Sequence, residues 1–178
     1  MRHLRLVLLF AAVAAASVLC CCGDGSEKNP DVLTYKLGEP ITLGHINYTV
    51  FETQWLTQLG SGAEARAPQN RFFLVRMKAH NALSTDVIVP NLSIEDDNGH
   101  VYQELNSGEG VPQYIGYLRS VRANDERQGN VLFDAPAAHY KMKLTDETGD
   151  KTAYVDLPLS FAAESVTMPE AAGGDKKK

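Results

Sequence analysis

Side chains able to do chemistry are scattered along this chain. Four histidines lie beyond an apolar leader: His45, His80, His100 and His139. No two stand at the HxH or HExxH spacing that sets two imidazoles on one face of a strand or helix. Catalytic zinc needs about three protein ligands converging on one open position. The densest candidate is Glu95-Asp96-Asp97-Asn98-Gly99-His100, in which Asp96, Asp97 and His100 are weak candidates for a cation site. A solvated turn is the simpler account, because turns favour the same residues. Leu59-Gly60-Ser61-Gly62 is a Gly/Ser loop and not a G-x-S-x-G elbow, and no base and orienting acid can be assigned to it. Adjacent carboxylates such as Asp96 and Asp97 are too common in turns to indicate glycoside hydrolysis. The chain therefore predicts no enzyme and implies no cofactor.

The remaining reactive side chains are three consecutive cysteines, Cys20, Cys21 and Cys22, and no cysteine follows them. Arg2, His3 and Arg5 precede an uncharged, almost wholly apolar run over residues 6–19. As a helix, about 14 residues rise roughly 21 Å, short of the roughly 30 Å hydrocarbon core. Length and flanks fit an exported leader. Gly23-Asp24-Gly25-Ser26 follows, with flexible-linker composition.

This junction resembles the bacterial lipobox, which places an aliphatic residue at −3, a small residue at −1 and the modified Cys at +1. Cys22, with Leu19 at −3 and Cys21 at −1, is the first candidate. Cys21, with Val18 and Cys20, is the second; Cys20, preceded by bulky Leu19, is the third. The resemblance implies a thioether-linked diacylglycerol, often with a further acyl chain on the new amino group. Each buried CH₂ contributes about 0.8 kcal/mol, and two chains anchor stably. The competing reading is simple secretion, for which Ala14-Ala15-Ala16 offers an A-x-A site. In a double-membrane cell, Gly23 after Cys22 implies sorting to the outer membrane.

Without the leader about 155 residues remain, enough for one domain that buries roughly two-thirds of its unfolded surface. Loss of Arg2 and Arg5 takes the formal charge from −5 to about −7. An acidic domain excludes a nucleic-acid partner and electrostatic docking to anionic lipid, which leaves acyl chains as the membrane contact. With no cysteine in the folded part, stability must come from packing; thiolate zinc sites and Cys nucleophiles are excluded there.

The organisation reads as a leader over 1–21, a tether over 22–31, one domain over 32–162 and a disordered tail over 163–178. Within the domain the apolar period is near two, with turn residues at short intervals, which is the mark of an all-β fold. Leu33, Tyr35 and Leu37 form one inward set; Ile46, Tyr48 and Val50 form another. Phe73, Val75, Met77 and Ala79 should face the core, with Leu74, Arg76, Lys78 and His80 on the water side. Residues 87–94 form a strand that Pro90 interrupts. Asp97-Asn98-Gly99-His100 predicts a type I′ hairpin turn into Val101 and Tyr102. Val131 with Phe133, then Tyr140, Met142 and Leu144, then Ala153, Val155 and Leu157 complete the inward positions. Only residues 63–66 could make a helical turn. Seven to eight short strands in a two-sheet immunoglobulin-like sandwich are expected, with Trp55 in the core.

Several of these segments carry a family pattern. Tyr35-Lys36-Leu37-Gly38-Glu39-Pro40-Ile41 and Tyr48-Thr49-Val50 open it. Arg71 to Asn81 follows an "fhhVxhxhxN" strand, where h is hydrophobic. Leu92 to Tyr102 follows "L-x-D-x-x-G-x-x-Y", and Gly129 to Pro136 follows "G-x-V-x-F-D-x-P". Together, over about residues 35–160, they resemble the telokin-like, immunoglobulin-like domain of secreted bacterial proteins, whose function is unknown. That resemblance implies a sandwich at the cell surface and supplies no catalytic residues. Ala123-Asn124-Asp125-Glu126 departs from the Pro-Gly turn common there.

Two connections, residues 58–70 and 106–128, are longer than a sandwich requires, and such loops are often functional. The second holds Val111, Pro112, Tyr114, Ile115, Tyr117 and Leu118. With Tyr102 on the hairpin, Tyr114 and Tyr117 are the candidate binding residues; the plainer reading is that this loop covers the core. Arg119, Arg122 and Arg127 nearby are solvated or paired with acids. The expected function is a lipid-anchored cell-envelope protein displaying a non-catalytic module for an unknown envelope protein. The alternative is a small-ligand or cation binder using residues 95–100. Intact-mass analysis of the membrane fraction should find a mature species beginning at Cys22 with added acyl mass. A mature species without it would leave simple secretion.

Overall fold

The computed structural model describes residues 32–160; Cys20, Cys21, Cys22, the tether, residues 161–162 of the expected domain and the expected tail over 163–178 lie outside the described residues. The described residues form an all-β sandwich of eleven strands: β1 (Thr34–Tyr35), β2 (Pro40–Leu43), β3 (Ile46–Leu56), β4 (Arg71–Asn81), β5 (Val87–Ile88), β6 (Ser93–Asp96), β7 (Val101–Gln103), β8 (Ser120–Val121), β9 (Glu126–Ala135), β10 (Tyr140–Thr145) and β11 (Thr152–Leu157). One sheet has the order β1-β11-β10-β6-β7 and the other β2-β3-β4-β9; β5 and β8 make a separate two-stranded ribbon. All pairings are antiparallel except β1 with β11. The count exceeds seven to eight because Pro90 splits one expected strand into β5 and β6, which join different sheets, and because β1 and β8 are two-residue pieces.

Alternation builds the core. Tyr48, Phe73, Met77, Val131 and Phe133 from one sheet pack on Ile94, Met142, Val155 and Leu157 from the other. Tyr48 ties the layers together, its hydroxyl donating to the Thr145 carbonyl at 2.9 Å. Trp55 is half-buried and stacks on Phe73 with ring centroids 4.2 Å apart. Leu33, expected inward, is 62% exposed, because only two residues of β1 pair with β11. Leu74, expected on the water side, is buried with Phe72, Leu132, Leu59 and Val111 in a second small cluster. The two long connections cover that face of the β4 sheet, and a two-residue period cannot foresee such a cover.

Two turns of the backbone depart from regular strand pairing. Between β6 and β7 only Gly99 has positive φ (84°), and Asp96 N–H donates to the His100 carbonyl at 3.0 Å. This is a three-residue loop with a left-handed glycine rather than the expected type I′ turn. In β3 the register shifts between Val50 and Glu52, leaving Phe51 in a bulge. β2 pairs only with residues 46–49 of β3, so beyond Val50 that side of β3 is unpaired among the described residues.

Asn81, the last residue of β4, is fully buried and joins three segments. Its amide donates to the carbonyls of Thr85 (2.7 Å), Val121 (3.1 Å) and Arg122 (3.0 Å), and its Oδ1 accepts from Leu83 N–H (2.8 Å). The side chain thereby satisfies backbone groups where the chain leaves the sheet for the β5–β8 ribbon. Asn124, at φ 55°, makes the turn into β9, where the family pattern has Pro-Gly. Asn81→Ala would leave those buried groups without partners and should lower unfolding free energy by about 2–3 kcal/mol in urea titration. A change below about 0.5 kcal/mol would refute the hub.

Candidate functional site

The 106–128 connection has its centre in an ion pair. Arg119 is 1% exposed and Glu104, just after β7, is 5% exposed. Arg119 Nη1 donates to Glu104 Oε2 at 2.9 Å and to the Gly116 carbonyl at 2.9 Å, and Nη2 donates to Glu104 Oε1. Glu104 Oε1 also accepts from Leu92 N–H at 2.8 Å. Burial pushes the Glu104 carboxyl above its ordinary value against the attraction of Arg119 and the Leu92 N–H. Arg119 Nε is buried without a partner among the described residues. Of the three arginines left open by sequence, Arg119 is thus paired and buried, while Arg122 and Arg127 are exposed. The sequence left Arg119 either solvated or paired with an acid, and its pattern did not single out Glu104 as that acid or mark the pair as buried.

Residues 112–115 then run along the free edge of β9. Tyr114 bridges Asn130 in parallel sense, Asn130 N–H donates to the Gln113 carbonyl (2.9 Å), and Asn130 Nδ2 donates to the Pro112 carbonyl (2.7 Å). The approach is so close that a Cβ on Gly129 would lie 2.1 Å from the Gln113 carbonyl oxygen, so only glycine fits. Ile115 enters the main core and Val111 the second cluster. Tyr114 is half-buried, its hydroxyl donating to the Leu105 carbonyl (2.9 Å), and burial raises its pKa. The Tyr117 hydroxyl accepts from Asn91 Nδ2 (2.8 Å). Tyr102 packs edge-on against Tyr140 with centroids 5.7 Å apart. Each of the three candidate tyrosines is thus tied into the framework by its own contact.

What this anchored segment presents outward is aliphatic. Leu118 is 82% exposed beside buried Arg119, and Ile88 on β5 is 66% exposed. Ile88 pairs with Ser120 in the ribbon, and Leu118 lies in the bend two residues before that pair. Sequence reasoning named Leu118 only as a loop member and did not single out Ile88.

Among the described residues no three His, Asp or Glu side chains gather as a metal-ligand set, and the acidic hairpin's groups make other contacts. Asp96 accepts from the N–H groups of Asn98 and His100 (2.9 Å each) and from His100 Nδ1 (2.9 Å). Partial burial acts to raise its carboxyl, and these bonds outweigh it, holding it below the ordinary value. Asp97 points instead to His139 Nδ1 at 2.9 Å, and His139 Nε2 lies 2.8 Å from Asp156. His45 pairs with Glu147, which that contact holds below its usual range. His80 meets Asn47 at 3.4 Å. The histidines tie strands and turns together in pairs. Shallow hollows include one of about 250 Å³ over Glu52, Gln54, Leu74, Arg76 and Asn130, one of about 320 Å³ beside Tyr114 and Arg127, and one of about 500 Å³ between the two long connections at Ser61, Glu64, Arg66 and Glu109.

Truncating one member of the buried pair strands the other. Arg119→Met should cost about 3–5 kcal/mol of stability. Combining it with Glu104→Leu should recover part of that loss, leaving the deficit of the orphaned Leu92 N–H. Denaturant titration of the single and double variants measures both; an unperturbed Arg119→Met would show that the pair does not anchor the connection.

No curated protein sequence matches the chain significantly. Among solved structures the chain is similar to the yjhA protein of Bacillus subtilis (17% identity, 70% of this chain and 99% of that one, TM-score 0.55). An uncharacterized β-sandwich protein from Clostridium difficile 630 matches at 9% identity over 76% of this chain and 100% of that one, TM-score 0.51. MPT63, a secreted protein from Mycobacterium tuberculosis, matches at 16% identity over 71% and 96%, TM-score 0.51. At these identities the likeness is one of fold. Residues 35–153 match the family described as Domain of unknown function (DUF4352), and the chain belongs to that family.

Proposed function

We propose that this chain is a lipid-anchored protein of the cell envelope whose immunoglobulin-like sandwich is a non-catalytic module for binding another envelope protein. The leader, the lipobox-like cysteines and the linker-like residues after them support the anchor. The observation that carries the binding reading is the contrast at residues 118 and 119. Leu118 stands 82% exposed on a segment that the neighbouring Arg119, 1% exposed, fixes to Glu104. An aliphatic side chain held out on a rigid backbone pays little ordering entropy on contact, and a second one, Ile88, is exposed on the ribbon strand that pairs with Ser120. Tyr117 lies beside it, held by Asn91.

The reading gives the acyl chains the membrane contact and the β5–β8 ribbon the protein contact. A photo-crosslinking residue at position 118 or 88 should capture one discrete protein in intact cells. The same residue at position 143, on the outer face of the other sheet, should capture none. Leu118→Asp and Ile88→Asp should abolish a capture made from position 117 while leaving the fold intact. Equal capture from positions 118 and 143, or no capture from the ribbon, would overturn the assignment.

A further inference from the structure

We propose that His139 is a pH-sensitive clamp that fastens the tip of the β6–β7 hairpin to β11 and lets it go as pH rises. His139 lies just before β10, with its ring one-third exposed. Its two nitrogens face carboxylates from different elements. Nδ1 is 2.9 and 3.1 Å from the two oxygens of Asp97 in the hairpin turn, and Nε2 is 2.8 Å from Asp156 Oδ1 on β11. A neutral imidazole carries one N–H; its other nitrogen is an acceptor and repels a carboxylate oxygen. Both contacts hold together only when the ring is an imidazolium donating from each nitrogen. Loss of one proton therefore breaks one of the two, and the hairpin loses its tie to β11.

The β6–β10 ladder ends at Asp96, opposite Tyr140, and does not include the turn residues. Among the described residues, Asp97 to His139 is the one side-chain hydrogen bond that joins turn residues 97–99 to another element; the bonds from Asp96 stay within the hairpin. The strand leaving the turn, β7, has only three residues and lies at the edge of its sheet. The charged groups facing the clamp are few. Lys141 on β10 stands in register between Asp156 on β11 and Glu95 on β6, and Asp96 is engaged with His100 at the base of the turn. Hydrogen bonds to Asp156 and then Asp97 raise the His139 pKa above its ordinary 6.5, against partial burial. A raised histidine contributes stability that is fully present below about 6.5 and is lost as pH rises through the folded-state value. The clamp is closed on the acid side of that window and open on the alkaline side. It does not depend on lipid anchoring.

The amides of Asn98, Gly99 and His100 all donate to Asp96, so their hydrogen exchange reports the order of the tip. NMR of the full chain should show the His139 ring titrating above the unfolded-chain value. Exchange protection of those three amides, corrected for intrinsic rates, should fall with the same midpoint. Asp97→Asn and Asp156→Asn should each lower the His139 midpoint. His139→Gln should make tip protection independent of pH, whereas His100→Gln should leave the response in place. A His139 midpoint at or below 6.5, or tip protection that does not follow it, would overturn the clamp. So would a pH response that survives His139→Gln or disappears in His100→Gln.

Discussion

A guanidinium without access to water constrains this molecule more than any apolar contact. Arg119 and Glu104 flank the long passage from β7 to β8, and removing both from solvent is costly unless every contact is well made. The geometry meets that demand with a two-pronged pair, the Gly116 carbonyl and the Leu92 N–H. Of the pair's side-chain polar atoms only Arg119 Nε is left without a partner among the described residues, and the pair ties both ends of the passage together. Ile115 is then held in the core, Gln113 lies against Gly129, and Leu118 is exposed. Asn81 does the corresponding work with a neutral amide, gathering three carbonyls and one N–H where β4 ends. The apolar core sets the layers, and these two polar centres set the connections.

The sandwich was legible in the sequence because its core strands obey strict alternation. Ile46-Tyr48-Val50, Phe73-Val75-Met77-Ala79 and Tyr140-Met142-Leu144 all face inward as their spacing requires. Alternation assigns the opposite face to water, and it failed where a loop provided cover, as at Phe72 and Leu74. Asn98-Gly99 marked a turn but not its length, because a left-handed glycine serves two-residue and three-residue loops alike. Pro90 marked a break without saying that the chain changes sheets there. The Arg119–Glu104 pair was illegible for a different reason. Charge alone argues for exposure, and only the partner 15 residues away reverses that argument.

The candidate chemistry obeyed the same logic. Acidic and imidazole groups lie close in sequence at residues 95–100, yet the turn sends Asp96 back into its own loop and Asp97 across to His139. Pairing with histidine in this way joins the β2–β3 turn to the β10–β11 turn, which no backbone ladder connects, through His45 and Glu147. The sandwich is similar to that of a protein only 9% identical to this chain, so activity must be argued from surfaces and not from the fold.

The bulge at Phe51 has a consequence for how such domains coexist at high density. β3 continues past β2, and alternation turns the backbone N–H and C=O of Thr53 and Trp55 toward the vacant side. A flat margin of that kind is a template for another molecule's strand, and crowded copies would zip together along it. The extra residue at Phe51 twists the margin out of plane, and Pro40 withholds one donor from the neighbouring edge strand. A bulge bends its strand and raises the local twist, and an edge so shaped is a poorer template for another molecule's strand than a flat one.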